Sequence, residues 1–331
     1  MIGVLVEEYG DPGNAVLTDL PDPMPGPGEV RVQVAFAGVN FMDIHTRQGK
    51  YRASRTYPVR VPLTLGMEAS GTVASVGPGV EGISAGQRVA WCLSWGAYAE
   101  FCNVPADRLI PVPDNLSLAM AAASTFHGVT AHYLLHDTAA LAPGPSALIL
   151  AASGGIGQML VQLAAANNVR VLAVTSTPDR AEEALTRGAN AAFLYDNGGF
   201  ADAALTETGG NGVDVVFDPV GAPTLRDSFR AARKRGLIVS FGSVGGNLRD
   251  LDPIELGEAG SLFLTRPRLA DHIADGPTIR RRAGEIYSAI LSGRLDVPIE
   301  GILPLDDFQK AHERLEGRQV SGKQLLRIAG E

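Results

Sequence analysis

The chain has two cysteines, Cys92 and Cys102, in 331 residues. Two thiols cannot form the disulfide framework of a small secreted fold, nor the four-cysteine cage of a structural zinc, and both are expected to be reduced. No apolar stretch approaches the ~18 residues of a membrane-spanning helix. The opening MIGVLVEEYG turns acidic at once and lacks the basic start and long apolar run of a secretory signal. Basic charge is scarce: 28 Lys and Arg against 36 Asp and Glu leave a formal net charge of -8. An acidic chain without a basic run is poorly suited to nucleic acid or an anionic membrane. The histidines His45, His127, His132, His136, His272 and His312 show no metal-ligand clustering, and His132 and His136, one helical turn apart, lack a third ligand. The expected location is the cytoplasm, with neither nucleic acid nor membrane as a partner.

What is present is an ordinary globular composition, 45% hydrophobic and 19% charged, in a chain long enough for two domains. The first part reads as β-rich, with short strands at Val30 to Val39, Glu68 to Val76, Arg88 to Cys92 and Ala97 to Val104. Proline and glycine punctuate them, as in Pro21 to Glu29, which suits a mostly antiparallel, barrel-like domain. A long helix is expected over Ser117 to His136, broken by Pro143-Gly144-Pro145. The pattern then changes. Strands at 147–152, 169–175, 191–195, 213–217 and 236–241 alternate with helices at 155–167, 179–187, from Phe200, and at 223–233. Such alternation means a doubly wound parallel sheet. Gly188 stands where a helix C-cap glycine belongs, and Gly236 is read the same way. Beyond about residue 265 the alternation stops. Helices at 279–291 and 305–315 and a last strand, Lys323 to Ile328, are expected to return to the first domain. The expected division is 1–120 with 266–331 for the β-rich domain and 121–265 for the parallel-sheet domain.

The stretch Ala147 to Gln162, ALILAASGGIGQMLVQ, runs from apolar strand through Gly154, Gly155 and Gly157 into a helix. That arrangement sets bare backbone N–H groups and a helix N-terminus against a pyrophosphate, here through Ser153, Gly154, Gly155, Ile156 and Gly157. Alone it is also compatible with a plain tight turn. The next strand ends in Thr175-Ser176-Thr177, without the Asp or Glu that bonds ribose hydroxyls in an NAD site about twenty residues after the glycines. Arg180 follows within a turn. Small hydroxyls and a guanidinium suit a 2′-phosphate, which points to NADPH.

Four further stretches, together with Ala151 to Gly157, resemble the zinc-free medium-chain dehydrogenases/reductases of the quinone oxidoreductase (zeta-crystallin-like) group. They are Gly38-Val39-Asn40-Phe41-Met42-Asp43, Leu65 to Gly71, Ser240 to Ser243 and Gly260 to Pro267. The resemblance implies an α/β protein with a GroES-like β-rich catalytic domain and a Rossmann domain with a parallel sheet. It implies NADPH held between them, and a homodimer. Asn40 and Met67 stand where the wider superfamily's zinc alcohol dehydrogenases carry a catalytic Cys and His, so no metal is expected. Without a Lewis acid, simple alcohols and ketones are poor substrates.

The resemblance also assigns roles. The counterparts of Asn40, Asp43 and Tyr51 line the site near the nicotinamide. Asn40 offers an amide to the nicotinamide ribose or to a substrate carbonyl, and Tyr51 offers a flat face or a proton. The position of Thr130 touches the cofactor. Ser176, Arg180 and Tyr195 match the 2′-phosphate pocket, with arginine replacing the usual lysine. Phe241, Gly242 and Ser243 close a strand beside the nicotinamide. The expected reaction is zinc-independent reduction of a small-molecule quinone by NADPH, through hydride or single-electron transfer. One alternative is a reductase of enones or other activated C=C bonds. Another, of a different class, is an NADPH-binding structural or RNA-binding protein of the zeta-crystallin type.

Overall fold

Val30, Val32 and Val34 have no exposed surface, as residues on one covered face of a strand should. They belong to the first of two units in the computed structural model, which describes residues 1–57, 59–141, 144–195 and 199–329. One unit comprises Met1–Val129 and Ile273–Glu331, the other Thr130–His272. Of the expected helix break, Pro143 lies outside the described residues.

In chain order the elements are β1 (Ile2–Val6), β2 (Ala15–Asp19), β3 (Glu29–Gly38), α1 (Phe41–Arg47), β4 (Leu63–Thr64), β5 (Glu68–Val76), β6 (Arg88–Cys92), β7 (Phe101–Pro105), β8 (Ile110–Pro111) and α2 (Leu118–Tyr133). The second unit adds β9 (Ser146–Leu150), α3 (Gly155–Ala166), β10 (Arg170–Thr175), α4 (Pro178–Thr186), β11 (Ala191–Leu194), α5 (Gly199–Glu207), β12 (Val213–Asp218), α6 (Leu225–Ala231), β13 (Ala232–Ser240), α7 (Ile254–Glu258), β14 (Phe263–Thr265) and α8 (Leu269–His272). The chain closes with α9 (Gly276–Leu291), β15 (Ile299–Pro304), α10 (Phe308–Glu316) and β16 (Lys323–Arg327).

In the first unit β3 is the hub. It pairs antiparallel with β5, β7 and β16, and the larger sheet runs β15-β16-β3-β5-β6-β8. A smaller sheet, β2-β1-β4, is antiparallel throughout. Val4, Val6, Trp91, Tyr98, Phe308 and Leu326 share one buried core between these elements. Residues 97–100 are not strand, contrary to expectation. Their backbone donors turn instead to Gly66, Leu65 and Ile2, and only Phe101–Pro105 joins the ladder on β3.

The second unit is a parallel sheet in the order β11-β10-β9-β12-β13-β14. Chain order reverses between β9 and β12, and ligands of open α/β sheets bind beyond the strand ends at such a switch point. This is the expected doubly wound architecture. The strand expected from residue 236 starts at Ala232, because α6 stops one residue earlier and its cap is already extended. Gly236 is therefore inside β13 rather than a C-cap, and Arg235 takes the left-handed conformation, φ 58°. Gly188, at φ 105° after α4, does act as the helix stop.

Gly157 is where the turn after β9 needs a missing side chain. A Cβ there would collide with the carbonyl oxygen of Ala151 and with Cα of Ala152. Gly157→Ala is expected to cost about 1–3 kcal/mol, read from the urea midpoint at constant slope. An unchanged midpoint would show that this turn yields freely.

Candidate functional site

The residues expected to act fall into two groups, one in each unit. In the first unit they gather where β3 ends, α1 begins and β16 passes. Lys323 opens β16 and Glu68 opens β5, and neither has meaningful exposure. The ammonium of Lys323 lies 2.6 Å from Glu68 Oε2 and 2.7 Å from Asn40 Oδ1. Asn40 Nδ2 donates to Glu68 Oε2 at 3.1 Å and to Gly38 O at 3.3 Å. The other oxygen, Glu68 Oε1, accepts the N–H of Phe126 at 2.5 Å. Gly38 leaves the space for this group, since a Cβ there would strike both Glu68 Oε2 and Lys323 Nζ.

Chemistry fixes the direction of the Asn40 amide. Lysine only donates, so the atom facing it is Oδ1, and an ionised carboxylate only accepts, so the atom facing Glu68 is Nδ2. Both hydrogens of Nδ2 are committed. Asn40 therefore presents an acceptor and no free N–H. Of its two expected roles, this favours a hydroxyl of the ribose over a substrate carbonyl.

Asp43, fully buried, lies one turn further on. It accepts the N–H of Asn40 at 2.9 Å and of Met67 at 3.0 Å, and the hydroxyl of Tyr98 at 3.4 Å. Burial pushes its carboxyl up to about 7, against the pull of Lys323. Tyr98 in turn meets His312 Nε2 at 3.4 Å, and burial drives that imidazole down to about 3. Asp43 thus ties α1 to Met67, in the turn that leads into β5, behind Asn40.

Tyr51 bonds to neither. It stands, half-buried, in a row of rings. His45 is 6.2 Å away edge-on, Tyr57 is 5.5 Å away edge-on, and Tyr57 reaches Trp95 at 6.4 Å. Burial, with Lys50 nearby, lowers His45 to about 4, so this imidazole is neutral near pH 7 and is no ready acid.

In the second unit the group lies at the carboxyl ends of the parallel strands. Gly154 caps α3 without any side-chain hydrogen bond, so the first-turn N–H groups of this twelve-residue helix have no intrahelical partner. Ser153 and Gly157 are buried, and Gly154, Gly155 and Ile156 half-buried, after β9. At the end of β10 the Arg180 guanidinium donates to Ser176 Oγ at 2.9 Å. Tyr195 is tethered to the same strand end by its N–H, 2.7 Å from Thr175 O, and stacks on Phe200 at 6.2 Å. Ser176, Arg180 and Tyr195 are thus brought together. Phe241, Gly242 and Ser243 follow β13, with the Phe241 N–H on Asp218 O at 3.0 Å and the backbone of Gly242 against Pro219. Thr130, on α2, keeps a buried hydroxyl with no protein partner. A bare helix N-terminus, a paired guanidinium and an orphaned hydroxyl fit a phosphorylated dinucleotide.

Two sequence families match. The alcohol dehydrogenase GroES-like domain covers residues 26–114 and the zinc-binding dehydrogenase family covers 155–268. The 2-haloacrylate reductase of a Burkholderia species is 35% identical over 333 residues, 98% of each chain. Quinone oxidoreductase 1 of Escherichia coli K12 is 36% identical over 91% of this chain and 92% of its own. The chain belongs to the quinone oxidoreductase family. Among solved members, the Escherichia coli quinone oxidoreductase in complex with NADPH superposes with a TM-score of 0.93 at 34% identity, covering 99% of this chain and 100% of the other. A mycobacterial protein, also in complex with NADPH, gives 0.93 at 38% over 99% and 100%. For this member of the family, the zinc in a matching domain's description finds poor ligands. An amide and a thioether occupy positions 40 and 67, and Glu68 already carries an ammonium. Both cysteines are buried, and burial pushes the Cys102 thiol up to about 12, so it stays protonated. Among the described residues no cluster of three His, Cys, Asp or Glu is placed to hold a metal.

Of this buried cluster the sequence singled out Asn40 and Asp43, but gave no part in it to Glu68, Lys323, Tyr98 or His312. Glu68 lay inside a quoted motif, whereas Lys323 carried no local signal at all. Lys323→Met strands a buried carboxylate and is expected to cost about 3–5 kcal/mol of stability. Adding Glu68→Gln should return part of it, as measured by urea denaturation of the single and double variants. A single variant as stable as the wild type would show the pair to be dispensable.

Proposed function

We propose that this chain is an NADPH-dependent, zinc-independent reductase of quinones. The observation that carries the reading is the joint presence of two features in a chain whose relatives include NADPH-bound quinone oxidoreductases. A guanidinium–hydroxyl pair, Arg180 with Ser176, stands at the strand end where an NAD site has a carboxylate, and a lysine occupies the place beside Asn40. Bound NADPH supplies the reducing hydride. Arg180, Ser176 and Tyr195 hold the 2′-phosphate. Ser153, Gly154, Gly155, Ile156 and Gly157 offer backbone to the pyrophosphate, while Thr130, Phe241, Gly242 and Ser243 border the nicotinamide half. Asn40 accepts from the ribose and Asp43 keeps α1 in place. Tyr51 offers its face to a flat acceptor.

The protein's own contribution is orientation and exclusion of water. A fixed ammonium cannot coordinate an oxygen as a metal does, so the acceptor must be activated by its own conjugation. A quinone meets that demand because the anion it yields is a weak base. The similarity to 2-haloacrylate reductase favours one further reading, reduction of activated C=C bonds, for which a proton from Tyr51 or water matters more.

We also read the chain as a cytoplasmic homodimer without a nucleic-acid partner. Strand β14 ends the parallel sheet, and its Phe263 is 58% exposed, which supports pairing of two such edges. Among the described residues no helix is long and apolar enough to cross a membrane.

Fluorescence titration is expected to show tighter binding of NADPH than of NADH, and Arg180→Ala to shrink that preference by about tenfold, equivalent to ~1.4 kcal/mol. Equal affinities in the wild type would overturn the cofactor assignment. In a panel of quinones, enones and enals with NADPH, quinones should be reduced. Tyr51→Phe should leave quinone turnover largely intact while lowering enone turnover by about a hundredfold. Failure to reduce any of the panel would sink the proposal.

A further inference from the structure

The segment from Ile44 to Met67 departs from the rest of the chain in charge. It holds five of the 28 Lys and Arg, namely Arg47, Lys50, Arg52, Arg55 and Arg60, and none of the 36 Asp and Glu. The protein as a whole is at -8. One of the five is spent: Arg47 is buried and pairs with Glu316 at 3.0 Å. The other four are exposed, and none of them forms an ion pair within 4.0 Å among the described residues. Four exposed arginines elsewhere, Arg226, Arg230, Arg233 and Arg281, each hold a carboxylate. Arg235, Arg249 and Arg327 are exposed and unpaired among the described residues, but one at a time rather than gathered in one segment. Glu316, the partner of Arg47, is already shared with Gln48.

The same segment carries Tyr51 and Tyr57, and their rings continue through His45 on one side and Trp95 on the other. Open cations and half-buried flat rings are thus set in one loop. Resting on the reading that Tyr51 faces the acceptor, we propose that the preferred acceptor is a conjugated molecule bearing an anionic group, a carboxylate or sulfonate. Lys50, Arg52, Arg55 and Arg60 attract that group. A local positive field on an acidic protein raises the encounter rate of a small anion, and salt screens the effect. The rings take the conjugated part. Four open cations on a chain otherwise rich in acid suit a small anion better than a polyanion, whose many phosphates the acidic remainder of the surface repels.

The test compares 1,4-naphthoquinone with 1,4-naphthoquinone-2-sulfonate at saturating NADPH on the full-length chain. Its measure is the ratio of kcat/KM for the sulfonate to that for the neutral quinone. This ratio should fall as ionic strength rises from ~0.01 to ~0.15 M. Arg52→Glu/Arg55→Glu should lower the ratio by about tenfold at low salt and flatten its salt dependence, with Arg52→Gln/Arg55→Gln in between. A ratio that responds neither to salt nor to these exchanges overturns the anionic preference while leaving quinone reduction standing. Reduction of neither quinone by the wild type overturns both readings. A poly(U) oligonucleotide that binds the wild type but not the Glu variant, with the ratio unchanged, would make the loop a nucleic-acid surface and also overturn the proposal.

Discussion

A lysine ammonium and a glutamate carboxylate, both removed from water, decide the arrangement at the end of β3. Burying either charge alone costs several kcal/mol, so each must be met by the other and by hydrogen bonds on its remaining positions. Glu68 meets this with Lys323 and Asn40 on one oxygen and the Phe126 N–H on the other. Three consequences follow. Gly38 has to be bare, because any side chain would occupy the space of the pair. The Asn40 amide can point only one way. And α1, which begins beside Asn40, is locked by Asp43 onto Met67 and Tyr98.

The second unit solves a similar problem by other means. Asp218, at the end of β12, is fully buried and forms no ion pair among the described residues. Its oxygens instead accept the N–H groups of Val220 and Gly221 and the hydroxyls of Thr224 and Ser228, at 2.7 to 3.0 Å. Neutral donors suffice to hold a buried carboxylate when there are enough of them. They shape the chain that leaves β12, on which Gly242 then rests. A lysine serves where a side-chain amide must also be oriented, and backbone donors serve where only a turn must be held.

These two devices sit well with a division of labour in which chemistry comes from a cofactor and the protein supplies position. The polar groups around Asn40 are spent on one another, and the imidazoles of His45 and His312 are kept neutral by burial. No strong acid is aimed at an acceptor from this cluster. An acceptor that needs little protonation is the natural match.

Much of the fold was legible because its signals are local. Short apolar runs alternating with helical stretches announced the parallel sheet, and Gly154, Gly155 and Gly157 marked its turn. Boundaries failed where neighbours decide them. Arg235 takes the strained conformation that was expected of a glycine, and residues 97–100 spend their N–H groups on other partners. The sequence by itself determined the absence of good zinc ligands at positions 40 and 67 and the lack of a carboxylate after β10, since these depend on which residue stands at a single place. Only the tertiary structure decided that Lys323 reaches Glu68 and Asn40, across 255 and 283 positions of chain. Strand periodicity shows that β16 exists, but not that it lies against the end of β3, and a buried charge finds its partner through that pairing alone.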